Sequence, residues 1–268
     1  MAKKKHYTLD EVNALRIAYG EPLQKKELIS TLLIPFSISA LFTFVLFYYW
    51  WLSVIAGAVA MIYAYKIMMP QNAKRVYEVN AFRERNNFVN NITQMLTNQE
   101  RTVLDALKIV TERAKGEFKE DLLVLQASLV DANAKEQQGA FQVLSDKYKN
   151  DVIFDLFIEQ LATASIEGRV SMETLKDIKS YHNQVKKRQD DFMAKKQKEA
   201  FNFKFIITIG LVLIMAITFS FGWDQFVNVY ARNPIGWITS AAYLFIIVGY
   251  FIGFRRKLVD DNIMEVKL

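Results

Sequence analysis

Few side chains in this sequence could carry chemistry of their own. There is no cysteine, which excludes disulfides, thiolate nucleophiles and zinc-knuckle sites. The only histidines, His6 and His182, stand far apart, and His182 lies within KSYHNQVKKRQ, where it reads as a solvated helix residue rather than a ligand or base. Glu117, Glu120 and Asp121 cluster at a helix start, where the helix dipole favours carboxylates; this reading needs no metal. No glycine-rich phosphate loop ending in Lys-Ser/Thr occurs, and no G-x-S-x-G, H-E-x-x-H or D-x-D-x-D-G pattern. These absences lead us to expect a protein that is not an enzyme and needs no cofactor. Two further carboxylates, Asp105 and Glu173, occupy matching places in two similar stretches, ERTVLDALK (100–108) and GRVSMETLK (168–176). They are the candidate partner-facing residues.

Long uncharged runs dominate the rest of the chain. From Ile29 to Met69 the only charged residue is Lys66. About 20 helical residues cross a ~30 Å hydrocarbon core, so this run is long enough for two spans. It divides at FYYWW (47–51), an aromatic cluster suited to the membrane interface. The expected helices are Leu28–Phe47 and Trp51–Met69, then Phe203–Gly222 and Ile235–Phe254, the last two joined by WDQFVNVYARNP. None of the four contains Asp or Glu, which argues against an ion-coupled transporter. Gly249 and Gly253, spaced G-x-x-x-G, are a candidate helix–helix contact.

Positive charge sets the expected orientation. Lys3, Lys4, Lys5, Arg16, Lys25 and Lys26 precede the first span, and Lys74, Arg75, Arg83 and Arg85 follow the second. Lys195, Lys196, Lys198 and Lys204 adjoin the third, and Arg255, Arg256 and Lys257 follow the fourth, while the two outer turns together hold only Arg232. Because Lys and Arg accumulate on the cytoplasmic side, both termini and the middle segment are expected in the cytosol, in a multi-pass protein of the cytoplasmic (inner) membrane.

The middle segment, 70–202, has no proline after Pro70, and its apolar residues recur at helical spacing in six stripes. The stripes are Phe88–Met95, Val103–Ala114, Phe118–Leu129, Phe141–Tyr148, Ile153–Ala164, and one beginning at Met172. Thr102-x-x-Asp105 and Ser171-x-x-Thr174 open the second and sixth. The expected fold is therefore an all-α membrane protein: four transmembrane helices and a cytosolic bundle of about six helices in two three-helix halves. By segment, 1–27 is an amphipathic helix (Leu9, Val12, Leu15, Tyr19, opened by Thr8-x-x-Glu11) lying on the membrane or on the bundle. Residues 28–69 form a transmembrane hairpin, 70–202 the bundle, 203–254 the second hairpin and 255–268 a cytosolic tail. Within the bundle, residues 99–177 carry ten Lys/Arg against fifteen Asp/Glu, and 178–202 carry seven against three. An acidic bundle above a basic collar disfavours direct nucleic-acid binding.

This order of spans and helices resembles the type II secretion F family, the inner-membrane platform proteins of type II secretion, type IV pilus and tight-adherence pilus systems, with the TadB branch most alike. The resemblance covers the chain end to end. It rests on QERTVLDALKIV (99–110) and IEGRVSMETLKDI (166–178) as the turn-plus-helix of each half, with Gly168 as the glycine of the second turn. The first turn has Asn98–Glu100 where the family pattern has glycine. The resemblance implies a pilus-assembly or protein-secretion platform that couples a cytosolic motor ATPase to pilin-like subunits in the membrane. It also implies an oligomer, as a homodimer or as a heterodimer with a related platform protein. A conjugation or DNA-uptake component on the same scaffold, or a membrane transporter or channel subunit, are the alternative readings.

Overall fold

The computed structural model describes residues 8–98, 100–168 and 171–259. Lys3, Lys4, Lys5, His6, Gln99, Arg169 and the end of the C-terminal tail lie outside the described residues. The chain is all-helical, with no strand among the described residues. Its helices are α1 (Leu9–Ile17), α2 (Lys25–Phe47), α3 (Trp50–Tyr63), α4 (Met69–Met95), α5 (Val103–Arg113), α6 (Gly116–Leu129), α7 (Ala134–Tyr148), α8 (Val152–Glu167), α9 (Met172–Phe221), the short α10 (Trp223–Gln225) and α11 (Pro234–Val259). Two π-helical segments, Ala64–Met68 and Phe226–Ala231, interrupt this series. Four helical stretches are long and apolar enough to cross a membrane: Lys25–Phe47, Trp50–Met95, Met172–Phe221 and Pro234–Lys257.

The chain divides into two compact units. The first comprises 8–13, 22–75 and 194–259 among the described residues. There α2 and α3 pair through a two-residue turn, and Ser39 Oγ donates to the Ala56 carbonyl at 3.1 Å. Tyr48 turns the corner in the left-handed region (φ 52°), and its N–H returns to the Phe44 carbonyl at 2.7 Å. A non-glycine residue there costs on the order of 1–2 kcal/mol. Its ring offsets this by meeting Trp223 edge-on at 4.8 Å and Phe226 at 6.0 Å, pairs worth about 0.5–1.5 kcal/mol each. Deeper in the unit, Phe42, Leu46 and Phe47 pack with Ile207, Leu211 and Leu244. In α1, Val12 is buried against Met69 and Ala73, and Thr8 and Glu11 form the expected reciprocal cap.

The helix of the second span continues beyond Met69. The helix runs on through Pro70 to Met95. Proline lacks an N–H, and its ring collides with the carbonyl four residues back in a regular helix. Here the turn just before it is π-helical, and the Met69 N–H bonds to the Ala64 carbonyl, five residues back. The wider π turn accommodates the proline, so the helix continues instead of breaking.

The second unit comprises 14–21 and 76–193 among the described residues. Its core joins the apolar faces of α4 to α9, with Phe88, Leu107, Phe118, Phe154, Phe157 and Leu161 all at 2% exposure or less. Phe88 meets Phe118, Phe154 and Phe157 edge-on at 5.5–6.4 Å. Helices α4 to α9 follow one another in the order of the six stripes, and α9 runs unbroken for 50 residues, from the start of the sixth stripe to the end of the third span. Tyr19 packs against this core and stacks obliquely on Tyr77 at 5.4 Å. Gly116 permits that approach. Its φ is +61°, and a β-carbon there would lie 2.0 Å from the Ala18 carbonyl oxygen. That same oxygen accepts the Glu117 N–H at 3.0 Å.

Candidate functional site

Asp105 and Glu173 both stand exposed in the first turns of their helices, α5 and α9. Thr102 caps α5 by accepting the Asp105 N–H at 3.1 Å, and its hydroxyl donates to the Asp105 carboxylate at 2.6 Å. That hydroxyl, helped by Lys108 and Arg101, holds the Asp105 carboxyl below the usual carboxylate range. Asp105 makes its hydrogen bonds with Thr102, and the two carboxylates stand on different helices, α5 and α9. Each sits on its own helix start as a solvent-facing charge.

The glycine of the second turn has a clear cause. Gly168 ends α8 in the left-handed conformation (φ 66°, ψ 9°), with open space where a β-carbon would stand, so backbone conformation alone asks for glycine. Gly249 and Gly253 are exposed on α11 with nothing within 4 Å of a would-be β-carbon. The close helix approach expected of them is not made within the described residues of this chain.

His182 is not a solvated helix residue: it is fully buried, with 0% exposure. The charges around it (KSYHNQVKKRQ) point outward, while its own helical position faces α4. Asn86 Nδ2 lies 2.8 Å from His182 Nδ1. An amide nitrogen can only donate, so Nδ1 accepts and the neutral ring carries its proton on Nε2. That nitrogen faces Asp151 Oδ2 at 3.6 Å, an electrostatic approach too long for a hydrogen bond. Arg85 Nε donates to the same oxygen at 2.9 Å, with both side chains largely buried. Burial alone would raise the Asp151 carboxyl. The facing histidine and the Arg85 charge outweigh it and hold the group below its ordinary value. Asp151 also caps α8 by accepting the Phe154 N–H at 3.3 Å.

Two amide pairs extend this buried centre. Asn90 and Asn183 exchange side-chain hydrogen bonds at 2.8 and 2.9 Å, and Asn86 donates to Asn183 at 2.9 Å. Aromatic faces close it: His182 stacks on Phe82 at 4.9 Å, and the Arg85 guanidinium lies 5.0 Å from the Tyr148 ring centre. An aspartate–histidine pair could in principle tune a nucleophile. Here both are sealed in the core with asparagines and an arginine, so the arrangement fixes how α4, the turn before α8, and α9 pack. Its signals in the sequence were the Asn86/Asn90 spacing and Asp151 standing before an apolar run.

The carboxylates at the start of α6 are also engaged. Lys147 of α7 bridges Glu117 at 2.8 Å and Asp121 at 2.7 Å. Tyr77 donates to Glu117 at 2.7 Å and Tyr148 to Asp121 at 2.5 Å. Burial works against charge on Glu117, but Lys147 and Tyr77 outweigh it and hold its carboxyl low. A groove of about 400 Å³ opens between α7 and α8, lined among others by Gln138, Gln142, Glu159 and Thr163.

Among known proteins, the chain is 43% identical over 265 residues to an uncharacterized protein of Bacillus anthracis, pXO2-23, a match spanning 99% of this chain and 96% of that protein. No protein-family model and no solved structure matches the sequence.

Proposed function

We propose that this chain, which belongs to one family with the Bacillus anthracis protein pXO2-23, is a non-enzymatic platform of a pilus-type or secretion-type assembly machine. In this reading it resides in the cytoplasmic membrane with both termini and the bundle in the cytosol. It links a motor ATPase at the bundle to pilin-like subunits held in the bilayer, as a dimer with itself or with a related platform protein.

One observation carries the reading: paired spanning helices flank an all-helical middle segment, and the bundle's last helix is the same continuous helix as the third span, Met172–Phe221. That order is the one on which the resemblance to the type II secretion F family rests. The exposed, singly capped Asp105 and the exposed Glu173 suit contact with a partner that carries basic residues. Neither is needed by the core, so their charge is free for recognition.

The test is association with a secretion-type motor ATPase of the same organism, the partner that this reading requires. Asp105→Asn together with Glu173→Gln should leave the bundle folded and abolish co-purification of the ATPase, with partial recovery at low ionic strength. Undiminished co-purification by the double variant would remove these residues from the interface. No association by the unaltered chain would overturn the platform reading.

A further inference from the structure

The groove of about 400 Å³ between α7 and α8 has an apolar floor and a rim without positive charge. Phe141, Ile158 and Ala162 are buried beneath it, and no lysine or arginine is among the residues that line it. Residues 134–167 hold six Asp/Glu and three Lys, and one of those, Lys147, is committed to Glu117 and Asp121 of α6. Donors along the groove are spent within the protein. Ser145 donates to the Asp155 carboxylate, Gln142 Nε2 to Asp146 at 3.1 Å, and Thr163 Oγ1 to the Glu159 carbonyl at 3.0 Å. What remains for a visiting group is mainly acceptor oxygen, headed by the exposed carboxylates of Glu159 and Glu167. On its outer face α8 also presents Leu156 and Ile166, 47% and 37% exposed, on either side of Glu159.

We propose that this groove is a docking site for a helix of a partner protein, one that carries two basic residues two turns apart with an apolar residue between them. Glu159 and Glu167 are eight residues apart on α8, about 12 Å along the helix axis. A helix lying along α8 spans that distance, within the reach of its side chains, with Lys or Arg at positions i and i+7. Its side chain at i+4 then sits over the apolar floor. Arginine suits the rim best, because its fork of N–H donors meets carboxylate and amide oxygens together. An extended segment fits less well than a helix. Its backbone N–H and C=O groups need partners, and no strand edge exists among the described residues to supply them. The acidic rim repels phosphate groups, so neither a nucleic acid nor an anionic lipid surface suits the groove. This inference stands on the groove alone and requires no role in assembly.

The full-length chain, extracted in detergent, is titrated into fluorescently labelled, alanine-rich helical peptides and binding is read by anisotropy. The patterned peptide has arginines at i and i+7 with leucine at i+4, and the control peptide has the same composition with its arginines on opposite faces. The patterned peptide should bind about tenfold more tightly than the control. Glu159→Gln and Glu167→Gln should each weaken its binding about fivefold, the upper end for an exposed ion pair, and raised salt should release it. Glu120→Gln, which removes an exposed charge from α6, should leave binding unchanged. Should a groove variant fail to fold, the preference of the unaltered protein for the patterned peptide still decides the matter. Equal or undetectable binding of the two peptides, indifference to both groove substitutions, an equal loss with Glu120→Gln, or displacement of the peptide by the same concentration of spermidine would overturn the proposal.

Discussion

Asp151 concentrates three duties in one side chain: it caps α8, pairs with Arg85 and faces His182. Asparagine caps a helix about as well as aspartate, so Asp151→Asn isolates the charge from the cap. It leaves the Arg85 guanidinium uncompensated in the core, a loss of about 3–5 kcal/mol. Amide exchange at Phe154 and along α8 should quicken accordingly, and exchange unchanged from the parent protein would deny the pair this role. The pH dependence has a fixed sign. Asp151 is held below its unfolded value, so its contribution is present above the ordinary carboxylate range near pH ~4 and is lost as the pH falls through the lower folded value. Protection of α8 should therefore fall on acidification below about pH 4, and Asp151→Asn should flatten that profile.

At the scale of helices, the apolar stripes led directly to the elements observed, because 3.6-residue periodicity needs only the local sequence. Thr102 and Asn133 announce α5 and α7 in the same way, as side chains that accept the first free amides. What could not be read locally was anything fixed by a second strand of the chain. The charges beside His182 suggested solvent, but burial is decided by Phe82, Asn86 and Asp151, distant in sequence. The π turn that lets the helix continue through Pro70 has no sequence signature of its own. The repeat stretches marked helix starts correctly while leaving open what Asp105 and Glu173 face. Two substitutions test this level. Leu107, fully buried in α5, replaced by Asp should unfold the bundle, since an unpaired buried carboxylate costs several kcal/mol. Gly168→Ala should cost about 1 kcal/mol through backbone strain alone, seen as faster exchange at the end of α8. A variant of Leu107→Asp that melts like its parent would contradict the core described here.

The whole-molecule account depends on which side of the membrane the bundle occupies. All four tryptophans lie in the spanning unit, at 50, 51, 223 and 237, near the ends of its helices, as interfacial anchors do. The lysines and arginines gather at the opposite ends. A motor ATPase can reach the bundle only from the cytosol, so orientation tests the central claim most directly. The chain has no cysteine, and two exposed valines offer sites that disturb neither cap nor core: Val143 on α7, 69% exposed, and Val229 in the π segment Phe226–Ala231, 70% exposed. Single Val143→Cys and Val229→Cys variants are treated in intact cells with a thiol reagent that does not cross membranes. The account predicts labelling of Val229→Cys and none of Val143→Cys until the cells are opened. Labelling of Val143→Cys in intact cells, with Val229→Cys protected, would place the bundle outside and contradict it.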